Sequence, residues 1–123
     1  EAIEAVGIGA LAAREAGSLP TGSARLVEVA RALALSPRFV LLDEPSSGLD
    51  DDETDALGAL FVRLAADGVG VLLVEHDIPM VMGTCSQIQV LDFGQIIAGG
   101  SAAEIQDDPQ VQAAYLGGKA ATS

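Results

Sequence analysis

Positive charge is scarce in this sequence. Its 123 residues hold 6 Lys and Arg against 18 Asp and Glu, a formal net charge of -12. The cations Arg14, Arg25, Arg31, Arg38, Arg63 and Lys119 are scattered along the chain. That pattern excludes nucleic acid as a main partner, because binding it takes clustered cations that displace condensed counterions. Cysteine is scarcer still. Cys85 alone excludes an intramolecular disulfide framework or a thiolate cluster and fits a reducing compartment. No apolar run approaches the roughly 20 residues of a membrane-spanning helix. The opening residues read as helix rather than as a basic-plus-apolar leader. Internal repeats and low-complexity linkers are also lacking. What is present is 50% hydrophobic and 20% charged, enough to bury the core of one modest domain. The expectation is an acidic, cytoplasmic piece of protein. It opens on Glu1 rather than Met, inside a helical pattern that runs to Glu15, as a piece cut from a longer chain would.

Periodicity sets out the elements. Ile3, Val6, Ala10 and Leu11 fall at helical spacing, weakened by Gly7 and Gly9. A break over 17–22 precedes a second helix expected from about Ser23 to Leu35, with Leu26, Val29, Ala30 and Leu33 on one face. Ser36-Pro37 ends it. Phe39-Val40-Leu41-Leu42 is a continuous apolar run closing on Asp43-Glu44, the pattern of a strand buried on both faces. A third helix starts near Asp51; its acidic first turn complements the helix dipole, and Leu57, Leu60, Phe61 and Leu64 form its apolar face. Val71 to Val74 is a second such strand, ending on Glu75-His76-Asp77. Strand, helix, strand predicts a right-handed parallel crossover. Ligand chemistry in open sheets of this kind collects at the carboxyl ends of strands, and both polar clusters sit there. Beyond lie a short helix over 78–85, a hairpin pairing 88–91 with 96–98, a capping box of Ser101 and Glu104, and an amphipathic turn or two over 109–116. The Gly-Gly-Lys-Ala-Ala-Thr-Ser tail is expected to be loose.

Asp43 and Glu44 are the chemical centre of this reading. Adjacent carboxylates on an extended segment point opposite ways, so they do different jobs. One can hold hydrated magnesium while the other polarises a water, a division that suits phosphoryl transfer. The plain alternative is a strand end with two solvated acids. A lone histidine such as His76 has its own plain alternative, a structural or solvated side chain.

Context favours the chemistry. FVLLDEPSSGLD over 39–50 resembles the Walker B strand and D-loop of ATP-binding cassette (ABC) ATPases. Val74-Glu75-His76-Asp77 resembles the switch-histidine segment of that family, and LPTGSARLVEVARAL over 19–33 resembles its signature loop and helix. The resemblance covers essentially the whole chain. It implies an α/β fold that is part of a P-loop NTPase-like cassette, with parallel βαβ core strands plus a C-terminal hairpin and short helices. Residues 1–35 would end the helical, signature subdomain, and 36–123 would form the C-terminal part of the ATPase core. The implied roles are magnesium binding through water at Asp43, general base at Glu44 and γ-phosphate contact at His76. Asp50 with 47–49 would form the D-loop across a dimer interface. Thr21, Gly22 and Ser23 would meet the nucleotide of the opposite subunit, as helix starts meet anions. The signature departs from Leu-Ser-Gly-Gly-Gln: Pro20 replaces the serine and Ser23 the glutamine. A proline variant of this loop occurs in the branched-chain amino-acid uptake subgroup. The stretches 75–82, 90–98 and 108–117 resemble that subgroup too. Met80 and Met82 read as simple packing.

A phosphate-cradling loop is missing. Lys119, the only lysine, lacks both the upstream glycine and the following hydroxyl of a P-loop. The glutamine loop and adenine-stacking aromatic are missing as well. The resemblance therefore implies the C-terminal half of an importer's ATP-hydrolysing subunit, inactive alone, with ATP and Mg2+ as cofactors. Its implied partners are the N-terminal half of the cassette, a second ATPase subunit and membrane permease subunits. It would lie in the cytoplasm, peripheral on the inner face of the membrane through the permease. The alternative from another class is a non-catalytic interaction or regulatory module derived from a cassette. An ABC protein of DNA maintenance or translation is disfavoured by the acidic balance and the tail.

Overall fold

In the computed structural model the described residues are 13, 15 and 20–116. The helix expected over 1–15, apart from positions 13 and 15, lies outside them, as do Leu19 of the signature loop and the tail beyond 116. The chain divides into two compact units, one up to Met80 and one from Val81.

The first unit begins with helix α1, Thr21–Leu33. It starts two residues earlier than its apolar pattern suggests. Pro20 has φ -59° and ψ 158°, and its carbonyl accepts from the Ala24 N–H at 2.9 Å, so the ring that breaks the preceding pattern also sets the helix start. Strand β1, Phe39–Asp43, leads through helix α2, Asp51–Ala66, to strand β2, Gly70–Val74. The two strands pair in parallel, with Leu41 opposite Leu72 and Asp43 opposite Val74. One face of this sheet is covered. Val29 of α1 and Leu57, Leu60 and Phe61 of α2 form the buried core together with Met80, and Leu42, Val71 and Leu73 pack against it.

The other face is not covered, which corrects the expectation of strands buried on both sides. Leu41 is 75% exposed and Leu72 60%, and Phe39 and Val74 are exposed beside them. Alternation sends these side chains away from α1 and α2, and no further layer lies over them among the described residues. Apolar surface of this size on one side of a sheet favours association. The 123-residue polypeptide is therefore expected to self-associate on a sizing column, and Leu41→Lys with Leu72→Lys should delay its elution at equal concentration. A wild-type chain that already runs as a dilute monomer would contradict this.

The second unit is built on a hairpin. Strands β3, Ile88–Asp92, and β4, Gln95–Gly100, pair antiparallel with a register irregularity between Val90 and Leu91. Asp92 faces Gln95, so the loop is Phe93-Gly94, at φ 48° and 77°. Two successive positive φ values match the strand twist, and Gly94 adopts its value without strain. Helix α3, Ile78–Thr84, precedes the hairpin, and its Val81 and Met82 pack on the second core of Ile88, Val90, Ile105 and Val111. The thiol of half-buried Cys85 is pushed above its usual pKa by desolvation.

Helix α4, Ala102–Gln106, carries the expected capping box: Ser101 accepts from the Glu104 N–H, and Glu104 accepts from the Ser101 N–H. Asp108 caps the single turn α5, Pro109–Val111. The chain then widens into a π-helical turn over Gln112–Leu116, where the sequence pattern suggested ordinary amphipathic turns. Its Tyr115 hydroxyl donates to the Leu91 carbonyl of the hairpin.

Candidate active site at the strand ends

The carboxyl ends of β1 and β2 lie side by side, because the strands are parallel and in register. The ladder continues one residue past β1: the Glu44 N–H donates to the Val74 carbonyl at 2.7 Å. Glu44 itself sits at φ 49°, in the left-handed region that costs a side-chain-bearing residue free energy. The idea that Asp43 and Glu44 diverge because both are extended is thus corrected. Asp43 closes the strand, and Glu44 begins a tight turn in which the Ser47 N–H donates to its carbonyl. That turn swings the Glu44 carboxylate onto the imidazole, with Oε1 2.8 Å from His76 Nδ1. A carboxylate only accepts, so Nδ1 carries the proton in this pairing and Nε2 is left for another contact.

Alternation along β2 sorts the next residues. His76 follows the parity of Leu72 and Val74 and is exposed. Glu75 follows Val71 and Leu73, and its side chain is fully buried. One of its oxygens accepts from the Ser46 N–H at 3.0 Å and the other from the His76 N–H at 3.3 Å. Asp77 takes a third role, accepting from the Met80 N–H at 3.0 Å at the start of α3. Glu75 was visible in the sequence only as one member of a polar cluster. Its parity with Val71 and Leu73 was the signal that separates it from His76.

Asp43 stands exposed where β1 ends. No group of three or more His, Cys, Asp or Glu side chains is arranged around a metal position among the described residues. The exposed Asp43 carboxylate is the kind of oxygen donor that magnesium uses when it binds through one or two carboxylates, waters and substrate phosphates.

The remaining candidates form a second group. Asp50 caps α2, accepting from the Glu53 N–H at 2.8 Å. That hydrogen bond lowers the Asp50 pKa, while the side-chain hydrogen bond to Asp50 raises that of Glu53. Gly22 lies in the first turn of α1 beside Glu53 and Leu49. A Cβ there would sit 2.4 Å from Glu53 Oε2 and 3.2 Å from Leu49 Cδ2, so a hydrogen at this position keeps the start of α1 against the start of α2. Thr21 and Ser23 flank Gly22 in the same turn, and no side chain caps that helix end. The fold therefore brings Glu44 to His76 and Gly22 to the Asp50–Glu53 turn. The Glu53 and Leu49 contacts with Gly22 had no signal in the sequence, since 27 to 31 residues separate them.

Known proteins share both sequence and overall fold with this chain. The family described as branched-chain amino acid ATP-binding cassette transporter matches residues 95–121. The lipopolysaccharide export system ATP-binding protein LptB of Acidithiobacillus ferridurans is 45% identical over 100 residues, 81% of this chain and 42% of that protein. The high-affinity branched-chain amino acid transport ATP-binding protein BraF of Pseudomonas aeruginosa is 42% identical over 116 residues, 94% of this chain and 46% of its own. The crystal structure of an ATP-binding cassette of an ABC transporter, in its ADP conformation, superposes with a TM-score of 0.81 at 32% identity, covering 94% of this chain and 47% of that one. The chain thus spans about half the length of the relatives it matches. No helix among the described residues is long and apolar enough to cross a membrane. The α/β fold, the parallel strand pair and the relatives agree: the chain shares the sequence and fold of ATP-binding cassette proteins over about half of their length, and matches the branched-chain amino acid cassette family over residues 95–121.

Proposed function

We propose that this chain is the C-terminal part of the ATP-hydrolysing subunit of an ABC importer for branched-chain amino acids or a related solute. The observation that carries this is the Glu44–His76 pair, 2.8 Å apart at the carboxyl ends of two paired parallel strands. The likeness to BraF and the family match over 95–121 support the solute class. Residues 1–35 then end the helical subdomain, and 36–123 complete the ATPase core. ATP and Mg2+ supply the scissile phosphoryl group and the charge that neutralises it.

Glu44 would take a proton from the attacking water, with His76 fixing the carboxylate through Nδ1 and its Nε2 left to donate to the γ-phosphate. Asp43 would hold the magnesium through water. Thr21, Gly22 and Ser23 offer helix-start amides to the nucleotide of a second subunit, and Asp50 shapes the D-loop as the cap of α2. The partners in this reading are the N-terminal half of the cassette, a second ATPase subunit and the permease subunits that hold the assembly at the membrane.

Reading the coding sequence upstream of Glu1 tests this directly. An in-frame strand followed by Gly-x-x-x-x-Gly-Lys-Ser/Thr is the expected result; a start codon there supports a non-catalytic module instead. In the full-length protein, Asp43→Asn should raise the Mg2+ concentration for half-maximal hydrolysis about tenfold, since it removes the anionic ligand but not its shape. A magnesium titration that overlays the wild type would remove Asp43 from the metal site.

A further inference from the structure

We propose that Glu75 is a positioning residue for hydrolysis, holding the Glu44 turn in place; this rests on the reading of Glu44 as the general base. An acid at a strand end ordinarily hydrates. This one is turned inward by strand parity, and its side chain has no exposure. Burying a carboxyl group is costly unless its oxygens find donors. Here each oxygen has one: Oε2 takes the Ser46 N–H and Oε1 the His76 N–H.

The Ser46 bond joins positions 29 residues apart, so it is a tertiary clamp and not a local cap. Glu44 lies between two such ties to the end of β2. Its own N–H is held by the Val74 carbonyl at 2.7 Å, and the peptide two residues on is held by Glu75 at 3.0 Å. Pro45, between them, is buried. Together these contacts keep Glu44 in its left-handed backbone conformation at φ 49°, the conformation that delivers its carboxylate to His76.

Glu75 also accepts from the backbone N–H of His76 itself. One buried side chain therefore sets both halves of the Glu44–His76 pair. Its Oε1 is 4.0 Å from His76 Nδ1, outside hydrogen-bond range, so the imidazole stays with Glu44. Glutamine keeps one oxygen acceptor but turns an NH2 toward the second donor; alanine keeps neither.

The experiment is steady-state MgATP hydrolysis by the full-length protein, with kcat expressed per nucleotide-binding site, for E75A, E75Q and E44Q. E75A is expected to lower kcat about 10- to 100-fold with KM changed less than about threefold, as loss of a supporting contact does. E75Q should recover part of this, settling about three- to tenfold below wild type. A purely structural role would instead reduce the number of binding sites and leave kcat per site unchanged. That result for E75A overturns the proposal, and if E75A does not fold, wild-type kcat per site in E75Q overturns it. Should E44Q be inactive while both Glu75 variants turn over normally, only the Glu75 assignment fails. Should E44Q itself hydrolyse ATP normally, the base assignment fails and the role of Glu75 with it.

Discussion

Replacing Glu44 by Gln in the full-length protein is expected to lower kcat for ATP hydrolysis about 10³-fold and to leave nucleotide affinity nearly unchanged. The carboxamide matches the carboxylate in shape, and its oxygen can still accept from His76 Nδ1, now 2.8 Å from the Glu44 carboxylate. The turn should survive, because its hydrogen bonds to Val74 and Glu75 come from backbone N–H groups. What the amide cannot do is take a proton from water at neutral pH. The loss therefore falls on the chemical step and not on binding. Glu44→Asp separates charge from reach: it keeps the anion but draws the oxygens back by one methylene, and a large loss there too would locate the requirement in geometry. Turnover by Glu44→Gln within tenfold of wild type would remove Glu44 from the chemistry.

The 123-residue polypeptide by itself is expected to show no hydrolysis above background, even at high enzyme concentration. In the proposed function the acids and histidine at the strand ends prime water and hold a metal, a role that does not extend to holding a triphosphate. That task needs a glycine-rich loop whose amides cradle the phosphates and whose lysine neutralises them. The chain has one lysine, Lys119, within Gly118-Lys119-Ala120, and a net charge of -12 that opposes polyanion binding. Holding the reactants in place accounts for a large share of any phosphoryl-transfer rate, so its loss is not repaired by an intact general base. Supplying the glycine-rich half in the same polypeptide should restore hydrolysis. A robust turnover by this chain alone that disappears on Glu44→Gln would overturn the expectation.

Much of the first unit was legible because the strands are short apolar runs with polar stops. Val40-Leu41-Leu42 halts at Asp43-Glu44 and Val71 to Val74 at Glu75-His76-Asp77, and the observed strands end at Asp43 and Val74. The helix between them begins where Asp50 supplies a cap and the acids follow. Which strand face would be covered was not legible. Phe39 and Leu41 are as apolar as Val40 and Leu42, so a continuous run gives no sign that Leu41 lies open while Val40 is buried. The left-handed turn at Glu44 was hidden for a different reason. A non-glycine residue accepts positive φ only when its surroundings compensate, and those surroundings are Val74 and Glu75, about 30 residues on.

In the second unit the capping box and the Phe93-Gly94 turn follow from local side-chain chemistry and were readable. The π-helical turn was not, since nothing in Gln112 to Leu116 distinguishes it from an α-helical turn before Tyr115 reaches the Leu91 carbonyl.

The linear order of residues determined the strand ends, the helix starts and the placement of acids and histidine on one edge, because each depends on neighbours a few positions apart. Tertiary structure alone decided that Glu44 meets His76, that Glu75 turns inward to clamp Ser46, and that Gly22 lies against Glu53. Those contacts arise when parallel pairing and helix packing bring distant segments within hydrogen-bond reach, and no local pattern encodes the distance between them.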